Sequence, residues 1–355
     1  MLKNTMVKKI IPHVRLTLGP AELEAVAKVL KSGYLAPGLV GETLERGIAR
    51  LSNQKSGVAV SSGTAALHVA LLALGVKAGD EVIIPAYSCQ ALLNAVLYVG
   101  ARPVVVDIDL STFNIDPQEV QKNITKKTKA IIVPHMFGLM ADIVAIKRFS
   151  IPIIEDCALS IGAKFKGQPA GSFGVVAIFS FYATKTITGG EGGMVVSSVE
   201  AIVDQARDVR EYDKKKNFII RYNYKLSDVN AAIALAQLKQ LPSFVTKRQA
   251  IAKKYTKALA GTNFILPTVP VDYHHTFSRY IIRTPQAEQL RTYLKDHGVG
   301  TGRGVVLGIH ELIKTKASLP KSKQALREAV SLPIYPTLTA SEQQKIITLL
   351  INFKS

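Results

Sequence analysis

Phe179-Ser180-Phe181-Tyr182-Ala183-Thr184-Lys185-Thr186-Ile187-Thr188-Gly189-Gly190-Glu191-Gly192-Gly193-Met194-Val195-Val196 is the stretch whose reading decides the fold. Two apolar runs, Val175 to Phe181 and Met194 to Val196, read as buried strands. The polar, Gly-rich segment between them reads as a turn, and it carries a lone lysine, Lys185. A lysine held on rigid elements at the edge of a core loses part of its solvation. Its amine then becomes available as a nucleophile toward a carbonyl. Read alone, Lys185 is better taken as an ordinary solvated loop lysine in a chain with 45 Lys plus Arg. The segments around it decide between the two.

Working back toward the N-terminus, helix and strand alternate. Ala21 to Leu30 predicts an amphipathic helix, with Pro20 at its start and Gly33 past its end. Strands are predicted at Gly57–Val60, Glu81–Ile84, Pro103–Val106, Ala130–Val133 and Pro152–Ile154. Helices are predicted between them at Gly63–Leu74, Ala91–Val99, Pro117–Asn123 and Ala141–Phe149. Short Val- and Ile-rich runs bounded by Gly, Pro and Asp are the pattern of strands buried on both faces. Alternation at this spacing implies βαβ units, an α/β class and a mostly parallel sheet with helices on both sides. After about residue 240 the texture changes. Pro242 interrupts a helical stretch, and Ser243 to Ala260 reads as a long connecting helix. A strand at Tyr280–Arg283 and helices at Gln286–His297 and Ala340–Phe353 follow. The expected division is a large domain over residues 1–240, with an N-terminal substrate segment, and a smaller α+β domain over residues 241–355.

Composition narrows the class. The chain has 355 residues, 48% hydrophobic and 20% charged, enough to bury a sizeable core and unlike a disordered chain. No apolar run reaches the roughly 20 residues that span a bilayer. Met1 to Ile11 shows no uninterrupted apolar core and no cleavage pattern, so no signal peptide is read. Two cysteines, Cys89 and Cys157, make no disulfide framework, which fits a reducing, cytoplasmic setting. The net charge is +19, but the basic residues are dispersed. The densest runs, such as Lys214-Lys215-Lys216, are not interleaved with aromatic residues, so no nucleic-acid partner is assigned. No metal-ligand set is assigned either.

Four segments together meet the needs of pyridoxal phosphate, which requires a lysine amine for its Schiff base and an acid facing its pyridine nitrogen. Ser61-Ser62-Gly63-Thr64-Ala65-Ala66-Leu67 ends a strand and opens a helix, and the free amides of such a start suit a phosphate dianion. Thr64 adds a hydroxyl donor; taken alone, the segment is an ordinary N-cap. Ile153-Ile154-Glu155-Asp156-Cys157-Ala158 ends an apolar strand in an acid pair, of which Asp156 is chosen to face the pyridine nitrogen. Ser180, five residues before Lys185, can reach the same phosphate. Arg221-Tyr222-Asn223-Tyr224-Lys225-Leu226-Ser227-Asp228 precedes a helix capped by Ser227 or Asp228 and offers Asn223 to an anion.

On these motifs the chain resembles the DegT/DnrJ/EryC1/StrS family of pyridoxal-phosphate-dependent aminotransferases, nearly end to end. Ser32-Gly33-Tyr34-Leu35-Ala36-Pro37-Gly38 resembles the family's substrate loop, and Ser62 to His68 its phosphate turn. Gly79 to Pro85, Pro134-His135-Met136-Phe137-Gly138 and Leu332 to Pro336 are further similar stretches. Each motif is weak; their order and spacing together are specific. The resemblance implies the type I fold of these enzymes. It makes Lys185 the cofactor-bearing and proton-moving lysine and Asp156 the partner of the pyridine nitrogen. It puts Gly63, Thr64 and Ser180 on the phosphate from one subunit and Asn223 from the other, hence a homodimer with shared sites. It implies a keto-sugar acceptor, nucleotide-linked in most members, or a cyclitol, with glutamate as amino donor. Surface polysaccharide, antibiotic and cyclitol routes all use the family.

Two positions depart from the family pattern. Leu159 stands where the family usually has a Gln that bonds the cofactor's ring hydroxyl, so that donor is missing. Cys89 stands where an aromatic ring usually covers the cofactor; Tyr87 is the alternative ring, although residues two apart on a loop need not share a face. Gly300-Thr301-Gly302-Arg303-Gly304 also lacks an expected His-Tyr pair. Two other readings stay open. One is a cofactor- or sugar-binding regulator without turnover, which these losses would mark. The other is a sugar dehydratase, a branch that replaces the lysine by His and is disfavoured by Lys185. Substrate contacts are expected in the loops at Gly33–Gly41 and Arg303–His310.

Overall fold

The computed structural model describes residues 10–213 and 215–353. The Met1–Ile11 reading lies mostly outside the described residues, as does Lys214. The centre is a seven-stranded sheet: β1 (Ser56–Val60), β2 (Glu81–Pro85), β3 (Arg102–Val106), β4 (Thr128–Pro134), β5 (Ile153–Asp156), β6 (Val176–Ser180) and β7 (Gly193–Ser197). Its spatial order is β1-β7-β6-β5-β4-β2-β3. β6, β5, β4, β2 and β3 run parallel, and β7 is antiparallel to both its neighbours. The mostly parallel α/β reading therefore holds. The strands are near-continuous apolar runs because one core lies on each face. Leu44, Ile131 and Phe179 belong to one, and Val69, Ile84 and Ile178 to the other. All five parallel strands end at the same edge, the edge at which such sheets bind ligands.

A third core lies around the two-stranded pairing of Tyr280–Arg283 with Ala329–Leu332. The helix Asp228–Leu259 joins it to the main sheet. Ala231, Leu241 and Phe244 of this helix pack into the main core, and Ile251, Tyr255 and Leu259 into the third. Residue 240 thus sits inside one continuous helix. Ile11 bridges to Val299, so the first described residues pack with the third core.

Pro242 does not end the helix, contrary to the sequence reading. An internal proline removes one backbone bond and costs about 3 kcal/mol. Burial of Leu241, Phe244 and Val245 on both sides of it offsets that loss. The helix expected at Ala141–Phe149 is confined to Ile143–Lys147, because Asp142 caps it through the Ala145 N–H at 3.1 Å. The Ala141 N–H is itself taken by His135 Nδ1. Helices at Leu39–Leu51 and Glu200–Val209 and the strand Ala329–Leu332 were not foreseen. Gly41 and Gly47 interrupt the first of these in sequence, while Leu44 and Ile48 bury it in the core.

Candidate active site

The turn after β6 delivers Lys185 to the sheet edge, where the Lys185 N–H closes the turn on the Tyr182 carbonyl at 2.9 Å. Lys185 lines a cavity of about 380 Å³ together with Cys89, Asp156, Leu159, Arg279 and Gly304. Burial pushes the Lys185 amine below the usual lysine range; the charges of Asp156 and Cys89 oppose the shift and that of Arg279 adds to it. Asp156, at the end of β5, is buried, and burial raises its pKa against the Ala158 N–H, the Lys185 charge and the His135 charge. The Ala158 N–H reaches Asp156 Oδ1 at 2.9 Å and fixes the carboxylate's orientation. Both shifts share one cause: the cavity solvates charge poorly. For Lys185 the shift enlarges the share of neutral amine, the form that attacks a carbonyl.

The phosphate candidates meet at a second point on the same edge. Ser62 caps the helix Gly63–Ala73, accepting the Ala65 N–H at 3.0 Å, and its carbonyl takes the Ala66 N–H. The amides of Gly63 and Thr64 have no partner within the helix. A Cβ on Gly63 would lie 2.8 Å from the Ser180 Cβ, so only glycine lets the helix start approach Ser180. Gly193 is held in the same way, because a Cβ there would fall 2.3 Å from the Ser62 carbonyl oxygen. The donor set fits pyridoxal phosphate: a half-buried lysine and a buried carboxylate on one cavity, and an amide-and-hydroxyl cradle beside it.

Asn223 is not brought into this cavity. Its side chain is exposed, while Tyr222 and Tyr224 on either side bond to the carbonyls of Val209 and Arg210. Cys89 and Leu159 do line the cavity, as the sequence positions required. Tyr87 does not take the place of a covering ring. It is fully buried against Phe113 and Phe137, with its hydroxyl 3.4 Å from the Arg303 carbonyl. Gly304 to Leu307 reach the cavity, but residues 33–40 line a separate groove of about 1110 Å³ against the helices Pro20–Ser32 and Asp228–Leu259.

Two cavity residues were given no role from sequence. His135 was quoted only as part of a stretch, and its buried bond to Glu155 is a long-range contact. Arg279 gave no sequence signal; it is one arginine among many until the strand after it is placed.

A model of the DegT/DnrJ/EryC1/StrS aminotransferase family matches residues 17–351. The chain belongs to this family. DegT/DnrJ/EryC1/StrS proteins are pyridoxal-phosphate-dependent aminotransferases. The chain is 35% identical over 353 residues to the "Pleiotropic regulatory protein" of Geobacillus stearothermophilus, covering 95% of each. DesV of S. venezuelae, solved in complex with a ketimine intermediate, aligns with a TM-score of 0.88, 32% identity and 93% coverage of each chain. The aminotransferase TlmJ of Streptoalloteichus hindustanus aligns with a TM-score of 0.90 and 30% identity, covering 96% of this chain and 98% of its own.

Proposed function

We propose that this chain is a cytoplasmic, homodimeric aminotransferase that moves an amino group from glutamate to a keto-sugar, nucleotide-linked, or to a cyclitol. The observation that carries the reading is that Lys185 and Asp156 line one cavity beside the Gly63–Ser180 contact. Pyridoxal phosphate, when bound, supplies an aldehyde to take up the amine and a ring to hold the electrons released at the substrate carbon. Lys185 Nζ, whose proton affinity burial lowers, would hold the cofactor through its aldehyde carbon, with the aldehyde oxygen leaving as water, and would afterwards carry the proton at the reacting carbon. The Asp156 carboxylate, oriented by the Ala158 N–H, would face the ring nitrogen and keep it protonated. Gly63, Thr64 and Ser180 hold the phosphate. Leu159 and Cys89 line the same cavity and would offer the ring neither an amide donor nor an aromatic face.

The dimer reading is supported by Asn223, exposed on its own chain and free to reach a second copy's phosphate. Exposed Leu23, Tyr34 and Leu39 leave an apolar face near the 33–40 groove for such a copy. A binding protein without turnover is the second reading, favoured by Cys89 and Leu159 and by the name of the Geobacillus relative. The deciding experiment is an absorbance spectrum of the purified protein before and after adding glutamate, with Lys185→Ala beside it. The expected result is a visible band that needs Lys185 and bleaches with glutamate. A Lys185-dependent band that glutamate leaves untouched would favour the binding protein.

A further inference from the structure

Arg279 and Arg248 stand apart from the other inward-lying arginines. Arg210 pairs with Glu45, Arg221 with Asp208 and Arg283 with Glu328. Among the described residues the Arg279 guanidinium meets no carboxylate. Its side-chain hydrogen bond is to His13 Nε2, at 3.4 Å. That nitrogen is 2.8 Å from Ser331 Oγ, and burial, then the Arg279 charge, pushes the His13 pKa down to about 4, so the imidazole is neutral and brings no charge. Behind Arg279 lies Arg248, a second buried cation held only by carbonyls, that of Ile334 at 2.7 Å. Two guanidinium charges therefore share a poorly solvated region with no acid between them. An unpaired charge in such a region is costly, and Arg279, half-buried on the cavity wall, is open to a counter-ion from outside.

The position of Arg279 says where that counter-ion sits. It immediately precedes the strand Tyr280–Arg283, on the same face as Ile281, which packs with Tyr87 and Phe137. The third core thus carries one cation into the wall of the cavity that the main sheet furnishes with Lys185 and Asp156. The phosphate cradle at Gly63 and Ser180 is a separate anion site. A cavity of about 380 Å³ that also holds a cofactor ring leaves Arg279 a small anion, not a nucleotide diphosphate. A guanidinium fork matches a carboxylate with two parallel bonds.

We propose that Arg279 is a carboxylate subsite of the Lys185 cavity, taking the carboxylate of an amino-acid or keto-acid substrate while its reacting carbon faces Lys185. The inference rests on the aminotransferase reading of that cavity. The carboxylate comes either from the amino donor or from an acceptor that is itself a sugar acid.

The test is calorimetric titration of the cofactor-loaded protein with glutarate, an unreactive dicarboxylate, and with glucuronate, on wild type, Arg279→Gln and Arg279→Lys. Loss of a charge-assisted fork weakens binding about 10- to 100-fold in Arg279→Gln and by less in Arg279→Lys. A change for glutarate assigns the site to the donor, and a change for glucuronate alone assigns it to the acceptor. The midpoint of thermal unfolding is expected to hold or rise in Arg279→Gln, because an unpaired charge is removed; a purely structural arginine would lower it. Affinities for both probes unchanged within twofold in both variants would overturn the subsite. Glutarate binding needs no turnover, so an inactive protein with an Arg279-dependent glutarate site would sink the aminotransferase reading and leave the subsite standing.

Discussion

Glu155 Oε2 lies 2.9 Å from His135 Nε2, with neither side chain exposed to solvent. His135 Nδ1 accepts the Ala141 N–H at 3.1 Å, so the ring proton sits on Nε2 and points at the carboxylate. Glu155 also accepts the N–H groups of Gly171, Phe173 and Gly174, at 3.0, 2.6 and 2.6 Å. Burial would raise its pKa, but the His135 bond and these amides overcome that and hold the carboxylate below its usual range. The residue before Asp156 is thus a clamp between the ends of β4 and β5 and the loop at 171–174.

Glu155→Gln turns one acceptor oxygen into a donor among four donors. The expected cost is about 1.5–3 kcal/mol of stability, the range for losing a hydrogen bond to a buried charged group. Urea unfolding at neutral pH measures it. A loss below about 1 kcal/mol would mean the clamp contributes little.

Gly63→Ala places a Cβ 2.8 Å from that of Ser180 and forces the helix start away from the strand end. Overpacking of this kind costs about 1–3 kcal/mol. Cofactor affinity is expected to fall about tenfold or more, with circular dichroism unchanged, in a cofactor titration.

The two cysteines are expected to react differently. Cys89 is exposed on the cavity, while Cys157 is buried, and burial, with the charges of Glu155 and Asp156, raises its thiol well above the ordinary range. Iodoacetamide should label one thiol in the native protein and two after denaturation. Loading the cofactor should protect Cys89. Equal labelling with and without cofactor would place Cys89 away from the bound ring.

Leu159→Gln restores a donor at the cavity wall. A hydrogen bond to the cofactor's ring oxygen stabilises its ionised form, so the pH at which the visible band changes should move down. A spectral titration that superimposes on wild type would show that position 159 does not face the ring oxygen.

His275 is buried, and burial is the main cause of a pKa pushed down to about 3; its Nδ1 accepts the Phe277 N–H at 2.9 Å. It is neutral when folded and protonates when unfolded below about pH 6.5. The unfolded state therefore binds the extra proton, and stability falls as pH drops from about 6.5 toward 3. Between pH 7 and pH 5 this residue accounts for a loss of about 2 kcal/mol. His275→Asn, which keeps an acceptor without a titrating group, should show a pH dependence flatter by that amount in urea unfolding.

The sequence by itself determined the alternation of β2 to β6 with their helices, because strands buried on both faces must be short apolar runs. It also marked Gly63, Asp156, Ser180 and Lys185, since each lies at a strand end or a helix start that local chemistry identifies. The sequence misread Pro242, where packing of Leu241 and Phe244 outweighs a local penalty, and passed over Leu39–Leu51, where burial outweighs glycine. Only the tertiary structure decided that Tyr87 turns into the core while Cys89 faces the cavity, and that Asn223 is exposed and off the Lys185 cavity. It alone set Glu155 on His135 and left Arg279 without a carboxylate partner. A charge has no partner until residues distant in sequence are folded beside it, so its desolvation and its pairing are properties of the fold and not of the local chain.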